Sequence, residues 1–127
     1  MELEESHLAK QQQHDELVAT VTAELGVERL AVVSPDETLR AEAEAKVDAA
    51  VVELELASGA EATEVKQAVL AELLELGPLT GIVDDENISR IEVGPGCFRT
   101  YRRGRPLPPG AMAFADDHGI ARALMRL

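Results

Sequence analysis

The sequence predicts an α+β fold: a three-helix bundle over residues 1–77, then a β-hairpin and one more helix over residues 78–127. Three observations carry this. Apolar residues recur at steps of three and four through the first 76 positions, the period of a helix face. After Gly77 the pattern changes to short β-branched runs broken by Gly and Pro. Charge shifts as well: residues 1–88 carry 21 acids and 5 bases, whereas residues 89–127 carry 3 acids and 7 bases, all arginines. An acidic helical part and a mildly basic tail imply two structural units with different partners.

The first helix is expected over residues 4–25, with Leu8, Leu17, Val21 and Leu25 near one face. Gln11, Gln12, Gln13 and His14 read as polar all round, so its first turns are expected to face solvent. Gly26 supplies a left-handed stop. Ser34-Pro35-Asp36-Glu37 predicts the next start, with Ser34 as cap, Pro35 at the first helical position and Glu37 completing a capping box. The second helix then covers residues 35–57, with a stripe of Leu39, Ala43, Val47, Ala50, Val51 and Leu54, and Ser58-Gly59 ends it. A third, over residues 62–76, aligns Val65, Val69, Leu73 and Leu76, widened by Leu70 and Leu74. Gly77-Pro78 terminates it, because Pro cannot continue the helical hydrogen bonds.

Leu79 to Val83 reads as an apolar hook and Asp84 to Asn87 as a loop. Ile88 to Val93 is a predicted strand, Gly94-Pro95-Gly96 a plain turn, and Cys97 to Arg103 a second strand. On that strand Phe98, Thr100 and Arg102 share one face, and Cys97, Arg99, Tyr101 and Arg103 the other. Gly104 breaks it, and Pro106, Pro108 and Pro109 mark an extended segment. A final helix starts near Asp116 with a stripe of Ile120, Ala123, Leu124 and Leu127.

Composition bounds the function. The chain has 127 residues and a net charge of −12, which repels phosphates and argues against nucleic acid as a partner. With two Phe, one Tyr and no Trp, the core must rest on Ala, Val and Leu. A lone Cys97 allows no internal disulfide and fits a reducing cytosol. No apolar run approaches the roughly 18–20 residues that span a bilayer, and the acidic N-terminus is unlike a secretory leader. The expectation is a cytoplasmic protein that does not span a membrane.

Residues 70–127 resemble a known family. Leu70-Ala71-Glu72-Leu73-Leu74-Glu75-Leu76-Gly77-Pro78-Leu79 is similar to the helix and Leu-Gly-Pro-Leu junction of the Tad/Flp pilus-assembly ATPases, part of the type II/type IV secretion ATPase superfamily. The acidic loop Asp84 to Asn87, the strand and Gly-Pro turn Ile88 to Pro95, the strand Phe98 to Gly104 and the Phe-x-Asp-Asp of Phe114 to Asp117 follow in the family's order. The resemblance implies a helical N-terminal domain followed by the start of a PAS-like domain, seated on a hexameric ring whose RecA-like domain binds ATP. It implies as partners the other subunits or the ATPase domain of such a motor, at an inner-membrane secretion platform, with homo-oligomers among the options. ATP and Mg²⁺ are implied for the full-length family, and no cofactor for this chain. The family's sheet continues with more strands and its phosphate-contacting arginines align largely beyond Leu127, so the resemblance does not carry them onto this chain. Val93 stands where the family has Asn.

The residues themselves argue against a nucleotide-hydrolysing core. A P-loop needs a glycine-rich run before Lys and Ser/Thr. The only lysines, Lys10, Lys46 and Lys66, lie in predicted helices without one. Four arginines form the unusual patch: Arg99, Arg102, Arg103 and Arg105. Guanidinium groups suit bidentate phosphate or carboxylate, yet these project from both strand faces. They read as a solvated strand pairing with acids of the same chain, as an interdomain or subunit contact, or as a phosphate-facing patch. His7 and His14 lack convergent further ligands for a metal, and His118 is expected to be exposed. Asp84-Asp85 and Asp116-Asp117 are sequence neighbours that do not face each other, poor geometry for acid–base work. Cys97 is expected to be a buried or half-buried thiol. The expected function is therefore a non-catalytic assembly or regulatory region of a secretion ATPase. The alternative is a free-standing acidic adaptor or interaction protein with no ATPase link, and the acidic helices could bind a basic partner.

Overall fold

A computed structural model of the protein describes residues 2–54, 60–80, 82–94, 97–107 and 113–127. It is α+β, as the sequence predicts. Three long helices, α1 (Glu2–Leu25), α3 (Glu37–Glu53) and α4 (Ala60–Leu74), pack on one another, with a four-residue α2 (Val27–Leu30) between the first two. A 3₁₀ turn at Gly77–Leu79 leads to an antiparallel sheet of β1 (Ile88–Gly94), β2 (Cys97–Arg102) and β3 (Arg105–Pro106), and α5 (Asp117–Arg126) follows.

The helical stripes do what their spacing implies. Leu17, Val21 and Leu25 from α1, Leu39, Ala43, Val47 and Ala50 from α3, and Val65, Val69, Leu73 and Leu74 from α4 form one buried cluster, closed by Leu30 of α2. Val51, Leu54 and Leu70 flank it half-buried. Apolar burial at about 25 cal/mol per Å² is the main force holding the three helices together. Exposed pairs such as Lys66–Asp48 and Arg29–Glu42 stitch the outer surfaces, where each is worth little.

Start and stop signals differ from expectation at three places. Asp36, not Ser34, caps α3: its carboxylate accepts from the Leu39 backbone N–H at 2.8 Å, and the helix begins at Glu37. Pro35 thus lies before the cap, and its carbonyl accepts from Arg40 Nε at 3.3 Å. A charged acceptor at the helix N-terminus also meets the helix dipole favourably. The small α2 lies where the sequence predicts no helix; Gly26, at φ +97°, ends α1 and starts α2 directly. Gly77 takes a left-handed φ of +60° but opens the 3₁₀ turn rather than ending a helix. The predicted stop at Ser58-Gly59, the Pro95-Gly96 half of the turn, Pro108 and Pro109 lie outside the described residues.

The sheet holds a strand that the sequence reading lacked. Arg103 (φ +51°) and Gly104 (φ +79°) form a two-residue left-handed turn, so Arg103 leaves β2 and Arg105-Pro106 fold back on it. Two positive φ values fit a hairpin twist. Ser89 is an extra residue in β1, between the pairs Ile88↔Arg102 and Arg90↔Tyr101. Its hydroxyl closes the irregularity, donating to the Tyr101 carbonyl and accepting from the Gly104 N–H. Ile91 and Phe98 turn toward a second apolar cluster built on Leu79, Phe114 and Ala123, with Leu76, Ile82 and Ile120 around it. Phe114 is fully buried against Gly77, where a Cβ would lie 2.5 Å from its ring.

Candidate functional site

Helix α5 keeps half of its expected apolar stripe and turns the other half outward. Ala123 is buried and Ile120 half-buried, but Leu124 and Leu127 are each 64% exposed, while Arg122 is 4% exposed. The helix turns its arginines toward the bundle and two leucines of its predicted stripe outward. Asp116 caps it, accepting from the Gly119 N–H at 3.1 Å.

Its polar face closes a joint with α1 and α4. His14, from the stretch expected to face solvent, is 1% exposed, and Glu72 is 0% exposed. His14 Nε2 lies 3.3 Å from Glu72 Oε1, and Nδ1 lies 2.8 Å from Asp15 Oδ1. Burial disfavours the imidazolium, but the carboxylates of Glu72 and Asp15 outweigh it and raise the His14 pKa. Glu72 also accepts from the Ala115 N–H at 3.0 Å. One turn before His14, the Gln11 amide clamps the same segment: its Oε1 accepts from the Ala113 N–H at 2.8 Å and its Nε2 donates to the Ala113 carbonyl at 3.0 Å. Side chains from α1 and α4 therefore hold the backbone that leads into α5.

Two arginines complete the joint. Arg126 donates to four backbone carbonyls: Leu30 and Val32 around the end of α2, and Leu73 and Glu75 at the end of α4. Helix ends leave such carbonyls without intrahelical partners, and one planar guanidinium reaches all four. Burial lowers its pKa, as do the nearby Arg122 and Arg40. Burial also lowers that of Arg122, opposed by Glu72 and Asp116; its three nitrogens are buried without a hydrogen-bond partner among the described residues. The imidazole and the Glu72 carboxylate are shut away from solvent, so this constellation holds charge and proton inside a joint.

The predicted arginine patch is split. Arg99 lies opposite Glu92 on the outer sheet face, Arg103 sits at the turn, and Arg102 and Arg105 face each other across β2 and β3. All four are exposed. Arg102 makes a 3.7 Å ion pair with Asp85 of the acidic loop. The same outer face carries an ordered trio: Tyr101 Oη donates to Glu92 at 2.5 Å, and Arg90 lies 5.3 Å over the Tyr101 ring and 3.3 Å from Glu92. The hydrogen bond from Tyr101 lowers the Glu92 pKa, and the bond to Glu92 raises that of Tyr101.

Cys97 is exposed rather than buried, since it points to this outer face at the hairpin end. His118 is exposed; the side chain of His7 lies outside the described residues. Among the described residues no group of three or more His, Cys, Asp or Glu is arranged to hold a metal, and no helix is long and apolar enough to cross a membrane.

Comparison with protein families, curated proteins and solved structures finds no match to this chain.

Proposed function

We propose that this chain is a non-catalytic N-terminal assembly and regulatory region of a secretion or pilus-assembly ATPase, acting through domain and subunit contacts in ATP-driven export of pilin or another protein. The observation that carries this is the joint. A part that passes force or position between neighbours has to move as one body. Here Gln11, His14 and Glu72 grip the segment before α5, and Arg126 grips the ends of α2 and α4. Arg99 on the outer sheet face and Arg103 at the turn remain exposed, available to a subunit or to the ATPase domain. The ordered pattern over residues 70–127 points to the Tad-type motors. In this reading the chain works in the cytoplasm, at an inner-membrane secretion platform, and ATP and Mg²⁺ belong to the RecA-like domain.

The adaptor reading draws on the exposed carboxylates of α3, Glu37, Glu44, Asp48 and Glu53. One titration separates the two. The chain is added to the RecA-like domain of a Tad-type ATPase, and binding and ATP turnover are followed. The motor reading expects binding that changes turnover and weakens when Arg99 and Arg103 are changed to Glu. Absence of both binding and any turnover effect would sink it. The adaptor reading expects salt-sensitive binding to a basic protein, lost when the α3 acids are neutralised.

A further inference from the structure

The two edges of the sheet differ. At one, β3 is two residues long and ends in Pro106, which has no N–H to offer. Short strands and prolines are common devices against unwanted pairing. At the other, β1 is seven residues long, and no strand among the described residues pairs with its outer side. A groove of about 260 Å³ lies along it, lined by Ile82, Val83, Asp85 and the stretch Ile88 to Ile91. The irregularity at Ser89 confines regular pairing to Arg90–Gly94.

The charges on this edge are arranged for a particular partner. Arg90 and Glu92 flank Ile91 and point to the outer face. In an antiparallel pair, residues directly opposite share a face, and opposite charges there attract. A strand that answers β1 must place an acid against Arg90 and a base against Glu92, two positions apart. β1 itself meets this condition when Ile91 lies on the two-fold axis. Tyr101 already steadies both groups, through its hydroxyl to Glu92 and its ring under Arg90. On the inner face Ile91 would meet its own counterpart and continue the apolar surface that packs on Phe114.

We propose that β1 is a self-pairing edge: a second copy of this chain adds its β1 antiparallel, Ile91 opposite Ile91, with each Arg90 against the other copy's Glu92. The result is an isologous dimer with a continuous six-stranded sheet. Two short strands bury less surface than a stable interface needs, so the dimer forms at high concentration and disperses on dilution. This inference does not depend on the secretion-motor reading.

The test is a charge exchange followed by sedimentation. The native chain is expected to dimerise reversibly as concentration rises. The Arg90→Glu and Glu92→Arg chains each place like charges together and are expected to stay monomeric alone. Mixed, they are expected to form a heterodimer at least as readily as the native chain dimerises. In a Cys97→Ser background, Arg90→Cys mixed with Glu92→Cys is expected to give a disulfide-linked dimer on mild oxidation, and either alone much less. This second reading holds even if a charge variant fails to fold. A native chain that is monomeric at millimolar concentration overturns the proposal. So does a dimer that persists in both folded single-charge variants, which would place the interface on another surface such as Leu124 and Leu127. Cross-linking without preference for the mixed pair overturns the register.

Discussion

His14 Nε2 and Glu72 Oε1 stand 3.3 Å apart with both side chains closed off from solvent, and they join α1 to α4 directly beneath the segment that enters α5. A buried ion pair is not strong evidence of stability, because desolvation offsets much of the attraction. It does make the fold sensitive to the protonation of one imidazole.

Stability is expected to fall as pH rises above neutrality. The folded state holds the His14 proton more tightly than the unfolded chain, whose value is the ordinary 6.5. The contribution is fully present below that value and is lost as pH rises through the raised folded pKa. Thermal melts from pH 6 to pH 9 should show a declining Tm on the alkaline side. His14→Gln should flatten that decline, and Glu72→Gln should lower stability by about 3 kcal/mol near neutrality. A native Tm that is level across the range would contradict the charged pair.

Arg126→Ala is expected to destabilise the fold by about 3 kcal/mol, since hydrogen bonds from charged groups contribute roughly 1.5–3 kcal/mol each and removal takes the donor from the Leu73 and Glu75 carbonyls at the end of α4. Arg126→Lys should recover only part of this, because an ammonium cannot span four separated acceptors. Arg105→Ala, on the exposed β3, should stay within about 0.5 kcal/mol. Urea denaturation of the three variants reads the order.

Gly119→Ala should destabilise although it improves helix propensity. An exposed helical Gly→Ala change normally gains up to about 1 kcal/mol. At Gly119 the added Cβ would lie 2.7 Å from Glu72 Oε2 and 3.1 Å from the Phe114 ring. Glu72 cannot swing aside without releasing His14 and Ala115. The expected net loss is about 1–2 kcal/mol. Ala121→Gly, on the exposed side of the same helix, should show the ordinary propensity loss of about 1 kcal/mol, and thermal melts of both variants check the pair.

Asp36→Ala should remove about 1 kcal/mol through loss of the α3 cap, and Ser34→Ala should be nearly silent. A reversed order in chemical denaturation would return the cap to Ser34.

The helical bundle was legible because burial follows periodicity. Val65, Val69 and Leu73 follow one another at steps of four and lie in the core. The β1–β2 hairpin was legible for a similar reason, with Gly and Pro framing β-branched residues. The joint was not, because Gln11 and His14 belong to a stretch that reads as polar all round. Position held a usable signal: Glu72 falls within the Val65–Val69–Leu73 stripe, and His14 sits three and four residues before Leu17 and Val18, which are buried. A polar residue on an apolar stripe calls for a buried partner. That partner lies far along the chain, at Ala115 for Glu72 and at Ala113 for Gln11, so local pattern could not supply it. The outward leucines of α5 escaped for the converse reason: two arginines with carbonyl or carboxylate neighbours outcompeted them for the inner face.

Arg126 also bears on how the chain reaches its final state. During synthesis α1, α3 and α4 leave the ribosome first and can collapse on their aliphatic stripes. The carbonyls of Val32, Leu73 and Glu75 then wait for a side chain that is 51 to 94 residues further along. Such distant closures are slow relative to local helix formation. The docking of α5 is therefore expected to follow helix formation in α1, α3 and α4, with Arg126 among the last side chains to find its partners.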